Sequence, residues 1–321
     1  MRMRTNVWLI IAACLVLIGC MIWGGAMSML NWDFTKLSTV KYECNTYEVS
    51  ENYKDISIVT DTADIVFIPS KSMTTSVSCY EQENNVHSVS VANGTLEIKV
   101  VDTRKWYEYI GTNFKTPKIT ILIPEGEYGN LTVKASTSNI EIPEVFTFKS
   151  VDILTSTGHI INHASTLENA KIETITGNVC IEDTSAGSLN IAVSTGKVTV
   201  SGVTCEGDIA VSMSTGKASL SNIHCKNFSS NGNTGDISLH NVIAMEKLSI
   251  KSSTGNITLD RFDASEIYIE SETGNVTGSV LTDKVFIVQT NTGKPDVPKT
   301  VNGGKCEITT NTGNIKISIA A

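Results

Sequence analysis

Residues 252–260 read SSTGNITLD, and the Thr-Gly pair inside this stretch returns throughout the second half of the chain. The interval between the glycines of successive pairs is almost constant, and Ser138 occupies the same position one interval before the first of them. A constant period of about 20 residues is typical of a solenoid, in which each repeat forms one coil. The glycines are Gly158, Gly177, Gly196, Gly216, Gly235, Gly255, Gly274, Gly293 and Gly313.

Apolar residues hold constant positions around each glycine. They stand seven and five residues before it, and two and four residues after it, as Leu248, Ile250, Ile257 and Leu259 do around Gly255. A spacing of two residues places side chains on one face of a strand. Each repeat therefore predicts a strand, a Thr-Gly turn, a second strand and a longer turn. About ten such coils, stacked ~4.8 Å apart, form a rod of roughly 50 Å with an apolar interior.

Stacking in register predicts that equivalent residues of successive repeats, such as Ile250 and Ile269, are hydrogen-bonded neighbours on parallel strands. The turn glycine is expected at positive φ because the chain reverses tightly there. The preceding Thr can pack on its own counterpart, which is worth on the order of 0.2–1 kcal/mol for each pair. Oppositely charged residues share outward columns on adjacent repeats, as in the pairs Asp152 with Lys171 and Lys251 with Glu270.

The first thirty residues differ from the rest of the chain. The opening MRMR is basic, and residues 7–30 carry no charge. As a helix they would extend roughly 36 Å, more than the ~30 Å hydrocarbon core of a bilayer. We predict a retained single-pass anchor, with residues 1–6 in the cytoplasm and the C-terminal part outside the cell. A cleaved secretory signal and lipidation of Cys20, within LIGC, are the alternatives.

The remaining chain divides into three regions. Residues 31–43 form a linker, residues 44–130 are rich in predicted strands without the Thr-Gly pair, and residues 131–321 form the solenoid. The strand-rich region is expected to cap the first coil, whose sheet edge would otherwise be open. Within it, TDTADIVFI resembles a worn copy of the repeat, with Ala63 at the glycine position.

Composition and motif searches exclude several classes of protein. The net charge of −8, without a basic stripe, argues against a nucleic-acid-binding protein. Eight cysteines without a C-x-x-C pair indicate neither a disulfide scaffold nor zinc or redox spacing. The carboxylates are scattered over many columns, and the densest group, Asp260, Arg261 and Asp263, is interpreted as a solvated turn. We therefore predict no catalytic residue, cofactor or metal.

Two cysteines are predicted to lie side by side. Cys205 and Cys225 each stand nine residues after a repeat glycine, in consecutive repeats. Their Cα atoms would then be roughly 5 Å apart, within the range of a disulfide. A ladder of free thiols and a disulfide are both compatible with this spacing.

Two further features are candidate contacts with a ligand. Trp106, Tyr107 and Tyr109 form the aromatic cluster outside the anchor, which predicts packing within the cap or, alternatively, stacking on sugar rings. Lys197 and Lys217 follow the glycine in consecutive repeats. They are interpreted as part of a solvated turn column, with a basic edge facing an anionic wall polymer as the alternative.

The chain resembles a bacterial, mainly Gram-positive, family of "putative adhesins" with β-strand repeats and unknown function. The shared features are the N-terminal membrane segment, a KITILIP strand leading into LTVKASTSNI, iterated STGxI/V repeats and the final GGKCEITTNTGNIKISI. The stretch VDTRKWYEYIG also matches clostridial-type members. The resemblance covers nearly the whole chain and implies a protein of the cell envelope.

The sequence thus predicts an all-β protein: a parallel β-solenoid of about ten coils with a strand-rich N-terminal cap, preceded by one transmembrane helix. The predicted function is that of a cell-surface adhesin or envelope-interaction scaffold that is not an enzyme. Its predicted partners are the membrane, through residues 7–30, and an envelope polymer or another surface protein. A polysaccharide-acting β-helix enzyme and an accessory protein of envelope-stress signalling are the alternatives.

Overall fold

In the computed structural model of the protein, residues 2–33, 40–72, 74–106 and 115–320 are described. They form one helix, α1 (Arg2–Met29), and 23 strands that belong to a single sheet. The strands are β1 (Tyr42–Val49), β2 (Asp55–Thr60), β3 (Asp64–Ser70), β4 (Thr75–Gln82), β5 (Asn85–Ala92), β6 (Thr95–Asp102), β7 (Lys118–Pro124), β8 (Gly126–Thr137), β9 (Ile140–Ile142), β10 (Phe146–Thr157), β11 (Ile160–Asn162), β12 (Ser165–Thr176), β13 (Val179–Glu182), β14 (Ser185–Cys205), β15 (Asp208–Thr234), β16 (Ile237–Thr254), β17 (Ile257–Phe262), β18 (Glu266–Thr273), β19 (Val276–Val280), β20 (Lys284–Thr292), β21 (Pro295–Asp296), β22 (Gly304–Thr312) and β23 (Ile315–Ile319).

Helix α1 contains an apolar span, Val7–Met29, that is long and apolar enough to cross a membrane, with a mean hydropathy of 2.5. The uncharged segment predicted at residues 7–30 is therefore helical, and the helix ends one residue earlier than expected. A helix of this length, composition and place in the chain is typical of a membrane anchor and of a signal sequence alike.

Strands of successive coils pair in parallel and in register, as predicted. In the ladder between β16 and β18, Leu248 lies opposite Ile267 and Ile250 lies opposite Ile269. The same equivalence joins β14 to β15 and β10 to β12. Because side chains alternate between the two faces of a strand, this register places each inward residue on its counterpart in the next coil.

The stacked inward residues form one continuous core. Ile250, Ile257 and Leu259, from the coil of Gly255, are fully buried, and so are most of their counterparts. Phe262, seven residues after the same glycine, occupies a third inward position and is also fully buried. Burying one such side chain contributes roughly 1.5–3 kcal/mol relative to leaving it in water, so these columns supply most of the favourable free energy of folding.

The last two coils do not stack in chain order. The final coil, β22 with β23, lies between the coil of β18 and the coil of β20. Ile308 faces Ile269 on one side and Val288 on the other. A Cβ added to Gly313 would lie 2.0 Å from the carbonyl oxygen of Gly274, so these two turns are direct neighbours. The expectation that neighbouring coils are consecutive in sequence is therefore wrong at this end.

A proline explains the inverted order. Ile315, two residues after the glycine of the final coil, donates its N–H to the carbonyl oxygen of Lys294 at 3.1 Å. The coil of β20 has Pro295 at the position of Ile315. Proline has no N–H to donate and is confined to edge strands. The proline-containing coil therefore suits the end of the stack, and the coil that carries Ile315 suits the interior.

The stack begins before residue 131. Strands β2 and β3 pair in parallel with β8 and β9, with Ile56 opposite Leu131 and Ile65 opposite Ile140. This register places Ala63 at the glycine position of the first coil. The stretch predicted to be a worn copy of the repeat is therefore a coil of the solenoid.

Further strands cover the N-terminal end. Strand β6 pairs in parallel with β2, and β7 pairs in parallel with β3. Strand β5 lies antiparallel to β6, and β4 lies antiparallel between β1 and β7. These strands occupy the side of the first coil that the second coil leaves open. They are the strand-rich cap that the sequence predicts.

The repeat glycines are required for two reasons. Eight of the nine have a positive φ, between 129° and 156°, and Gly293, in the end coil, is the exception. A Cβ added to Gly216 would lie only 1.7 Å from the carbonyl oxygen of Gly196, in the coil beneath it. A side chain at this position would therefore both strain the backbone and force the coils apart.

Removal of the final coil should expose the coil that precedes it in sequence. A chain ending at Gly303 lacks β22 and β23, which are the strands that pair with β20 and β21. We expect limited proteolysis to cleave this chain within residues 284–296. A control chain ending at Leu281 should keep a resistant tip, because β18 and β19 still pair with β16 and β17. Full resistance of residues 284–296 without the final coil would contradict the observed order.

Gly216→Ala should destabilise the protein more than Gly94→Ala. Gly94 has a φ of 77°, but nothing lies within 4 Å of an added Cβ, so its replacement costs only backbone strain of roughly 1–2 kcal/mol. At Gly216 the new methyl group also meets the backbone of the coil beneath. Chemical denaturation followed by circular dichroism should give a lower midpoint for Gly216→Ala. Equal midpoints would show that close approach of the turns is not what requires glycine.

Candidate functional site

A groove runs along the outer face of the sheet formed by the first strand of each coil. Its first part has a volume of about 390 Å³. Residues two to four positions before the repeat glycines line it, so equivalent positions recur from coil to coil. We call this feature the axial groove. Its lining includes Leu154, Ile175, Ala192, Ser194, Ser214 and Asn233.

The axial groove continues toward the C-terminal end. A second part, of about 260 Å³, shares Asn231 and Asn233 with the first and extends to Glu272. Small residues such as Ser212 and Gly232 lie where the two parts meet. Ile175, in the first part, is 56% exposed. The groove therefore combines exposed apolar side chains with serines that recur in several coils and two asparagines in the coil of Gly235.

Buried hydroxyl groups without a partner lie beneath the axial groove, on the inward face of its strands. Thr174, Ser252 and Ser271 make no hydrogen bond to any described residue. Thr174 and Ser252 lie in the strands that border the groove. In the same column, the hydroxyls of Thr155 and Thr310 donate to backbone carbonyl oxygens. These residues stand three positions before the repeat glycines and share the inward face of the strand with the core positions five and seven before them. Their buried hydroxyls therefore point into the core and away from the groove.

Lysines form ion pairs with two carboxylates beside the axial groove, Glu173 and Glu270. Lys251 Nζ lies 2.9 Å from Glu270 in the adjacent coil, which confirms that predicted pair. Lys171 lies opposite Asp152, yet its ammonium contacts Glu173 of its own coil at 3.1 Å. This hydrogen bond with Glu173 raises the pKa of Lys171. Lys171 pairs with Glu173 in place of the predicted partner Asp152, because residues two apart on a strand point to the same side.

The column that follows the repeat glycines bonds to the backbone of the next coil. Asn139 Oδ1 accepts the N–H of His159 at 2.9 Å, and His159 Nδ1 accepts the N–H of Asn178 at 3.1 Å. Asn178 Oδ1 accepts the N–H of Lys197 at 2.9 Å. Lys197 and Lys217 are neighbours in the next ladder, where an ammonium group cannot accept the following N–H. This column therefore stabilises the turns.

The acidic group at residues 260–263 is divided between two sets of contacts. Asp260 accepts a hydrogen bond from Ser279 at 2.7 Å, and this bond lowers the pKa of Asp260. Asp263 lies 2.5 Å from the buried ammonium of Lys284. Each carboxylate is thus paired with a residue of the next repeat in sequence.

The predicted aromatic cluster is only partly described. Trp106 lies after β6, in the cap, and is 77% exposed. Tyr107 and Tyr109 lie outside the described residues. Stacking of these aromatic rings on sugars stays a prediction.

The cap contains a buried polar cluster that no sequence motif indicates. Glu81 is fully buried, and its carboxylate accepts hydrogen bonds from Asn45 at 2.8 Å and from the backbone and ring N–H groups of His87 at 2.7 Å. His87 Nε2 lies 2.8 Å from the Thr60 hydroxyl. The sequence contains one indication that Glu81 is buried. Glu81 follows Cys79 by two residues in the same strand, so both side chains lie on its inward face.

Three residues of this cluster are also potential metal ligands. Ligand atoms of Cys79, Glu81 and His87 lie within 4.8 Å of one another, and zinc accepts all three residue types. Three hydrogen-bond donors already satisfy the Glu81 carboxylate, however, and burial raises the pKa of Cys79 to about 12. The hydrogen bonds of this cluster therefore join β1, β2, β4 and β5 without an ion.

Cys205 and Cys225 are buried and carry free thiols. Thr204 lies opposite His224, so the two cysteines form the next pair along the ladder. The Cys205 thiol donates to the carbonyl oxygen of Gly187 at 3.4 Å. Burial raises the pKa of Cys225 to about 12. In this structure the two buried thiols are therefore free and adjacent along the ladder.

The chain belongs to the Toastrack DUF4097 family, whose model matches residues 53–212 and 204–321. The matched residues include the first coil, the remaining stack and most of the cap. This match confirms the resemblance that the repeats indicate. A comparison with curated proteins gives no significant match.

Several solved structures resemble the chain at low sequence identity. A "putative adhesin" from Bacteroides fragilis is 17% identical with a TM-score of 0.42, and the similarity covers 87% of this chain and 97% of that chain. A "putative lipid binding protein" from Parabacteroides distasonis is 15% identical with a TM-score of 0.45 and the same coverage of both chains. A "putative cell adhesion protein" from Clostridium sporogenes is 10% identical with a TM-score of 0.21, covering 88% and 100%.

Cys205 and Cys225 should resist alkylation in the folded protein. With the pKa of Cys225 raised to about 12, only ~10⁻⁴ of its thiol is ionised near pH 8, and reactivity should rise only as the pH approaches that value. Exposed Cys44 serves as the control and should react quickly. Mass spectrometry of peptides labelled before and after unfolding measures this difference. A disulfide-linked peptide pair, or labelling of Cys225 as fast as Cys44, would contradict the thiol ladder.

Proposed function

We propose that the protein is a membrane-anchored β-solenoid of the cell surface that binds an extended glycan strand of the envelope along the axial groove, without catalysis. The observation that carries this proposal is the groove itself, whose exposed lining combines apolar side chains such as Ile175 with serine and asparagine side chains beside them. A site that recurs from coil to coil suits a ligand that is itself a linear polymer.

The N-terminal helix supports the location. Its apolar span, Val7–Met29, is long enough to cross a membrane, and basic residues stand before it in sequence. Basic residues favour the cytoplasmic side, so the N-terminus lies inside the cell and the solenoid lies outside. The anchor then holds the solenoid next to the polymers of the envelope.

The lining of the axial groove suits a sugar chain. Ligand sites combine an apolar surface with a small number of polar groups that orient the ligand. Leu154 and Ile175 supply exposed apolar surface, while Ser194, Ser214 and Asn233 supply hydrogen-bonding groups beside it. Sugar rings present apolar faces and hydroxyl edges, so a glycan strand lying along the solenoid axis can use both.

Charge favours a neutral glycan over a polyanion. The chain has a net charge of −8, and the first part of the axial groove contains Glu173 but no lysine among its lining residues. A polymer rich in phosphate would meet electrostatic repulsion from the protein as a whole. We therefore expect peptidoglycan fragments to bind more tightly than teichoic acid.

Ion pairs of two carboxylates near the axial groove, Glu173 and Glu270, favour binding over hydrolysis. Glycoside hydrolysis uses a pair of carboxyl groups, one as acid and one as base or nucleophile. Glu173 is held by Lys171, and Glu270 is held by Lys251. Residues engaged in ion pairs of this kind are poorly placed to exchange protons with a substrate.

Blocking the axial groove should abolish glycan binding. Ser214→Trp places a bulky side chain in the groove, whereas Ser185→Trp adds the same side chain at an exposed serine that does not line it. With the full chain in detergent, we expect Ser214→Trp to weaken the binding of peptidoglycan fragments at least ~10-fold, or about 1.4 kcal/mol. Ser185→Trp should bind as the wild type does.

Three results would contradict the proposal. The first is a wild-type chain that binds neither peptidoglycan, teichoic acid nor the sugars of a glycan array. The second is equal binding by the Ser214→Trp and Ser185→Trp variants, which would place the ligand elsewhere. The third is release of shortened glycans, which would favour the alternative of a polysaccharide-acting enzyme.

A further inference from the structure

The two ends of the stack differ in how their sheet edges are covered. At the N-terminal end, β6 and β7 continue the stack beyond β2 and β3, and antiparallel strands follow. At the opposite end, β20 pairs with β22 on one side, and no strand in the described part of the chain pairs with its other side. The parallel stack therefore ends in an open strand edge, which we call the tip edge.

The tip edge lacks the features that commonly protect such strands. Residues 285–293 read VFIVQTNTG, without a charged residue or a proline. Strand β20 has nine residues and pairs with β22 without a register shift, so no bulge turns it aside. Ile287 is 51% exposed. Edge strands of soluble proteins are usually short, charged, bulged or interrupted by proline, because an open edge can pair with another strand.

The core is also less enclosed at the tip. Phe286 and Val288 occupy inward positions of β20 and pack against the core while remaining only partly buried. Cys306 and Ile308 hold the same positions one coil further in and are completely buried. A strand added at the tip edge would cover apolar surface that β20 leaves accessible.

The loop after β21 covers only the beginning of β20. The hydroxyl of Thr300 donates to the carbonyl oxygen of Lys284, and Val297 packs against the core. Pro295 removes one N–H from the neighbouring strand β21 and so protects that strand from pairing. The stretch available for pairing is therefore residues 285–291.

We propose that the tip edge binds the tip edge of a second copy of this chain, with the two β20 strands antiparallel, so that two solenoids join end to end. A two-fold axis brings the same residues of both copies together. Because residues 285–293 carry no charge, no like charges oppose each other across the pair. An isologous contact uses each tip edge once, and β1, the last strand at the N-terminal end, carries Glu43 and Glu48, which disfavour pairing. Association therefore closes at a dimer and does not extend into a fibre.

The end-to-end pairing adds a partner to the proposed function. The placement of the two copies in facing membranes rests on that proposed function. The chain enters the solenoid at the capped end, after α1, and the tip edge lies at the other end of the stack. Two copies anchored in facing membranes therefore meet through their tips, which makes the second copy a partner for contact between cells. The dimer itself requires only β20, so it can be tested apart from glycan binding.

The mass of the full chain in detergent, measured by sedimentation over a range of concentrations, tests the pairing. We expect the wild type to dimerise reversibly. Ile287→Lys should move dimerisation to at least ~10-fold higher concentration, because it places like charges across the pair. The matched control is Ile175→Lys, since Ile175 is 56% exposed but lies on the side of the solenoid. It should dimerise like the wild type.

A wild-type chain that stays monomeric at every concentration overturns the proposal. A dimer that is insensitive to Ile287→Lys also overturns it, because the contact would then lie elsewhere, for example in α1.

Hydrogen exchange gives a second readout that needs no variant. The amides of residues 285–291 should exchange fast in the monomer and slowly in the dimer, while those of β18, which is paired on both sides, should not change. Fast exchange of residues 285–291 in a dimeric sample overturns the proposal, even if Ile287→Lys fails to fold. Ser214→Trp should dimerise normally, so failure of glycan binding and failure of dimerisation are distinguishable.

Discussion

In-register hydrogen bonding between equivalent residues of adjacent coils is the constraint on which the rest of this structure depends. Strands ~4.8 Å apart place each side chain directly on its counterpart, so a residue type that suits one coil must suit its neighbours. The turns show this most directly, because the carbonyl oxygen of Gly196 occupies the space that a side chain at Gly216 would need. The apolar columns and the asparagine and histidine bonds after the glycines follow from the same spacing.

The same constraint connects the fold to the proposed functions. Identical spacing on the outer face repeats the groove positions in every coil, which suits a polymer better than a small molecule. At the two ends the hydrogen-bonding pattern has no further coil to satisfy it. At the N-terminal end antiparallel strands of the same chain continue the sheet as far as β1, which carries charged residues, whereas β20 keeps an uncharged side that no described strand pairs with. The interior of the stack thus provides a binding surface, and its end provides a pairing surface.

The candidate sites were predictable to different degrees. The columns that line the axial groove can be read from the sequence, but the groove itself depends on small residues such as Ser212 lying beside exposed Ile175. The buried Glu81–His87 contact joins two strands outside the repeat. The inward phase of Glu81 indicates burial, yet only the folded cap shows which residues donate hydrogen bonds to its side chain.

By itself, the sequence determined the coil, its inward positions and its turns, because a nearly constant period with alternating apolar positions allows one way to bury the apolar side chains. It also indicated that the stretch around Ala63 is a coil. Only the tertiary structure decided which coils are neighbours near the C-terminus. The spacing between repeats in the sequence is the same whichever coils are neighbours in space. The stacking order therefore depends on which strand can lie at an edge. Pro295, which has no N–H to donate, lies in the end coil, and Ile315 lies inside the stack.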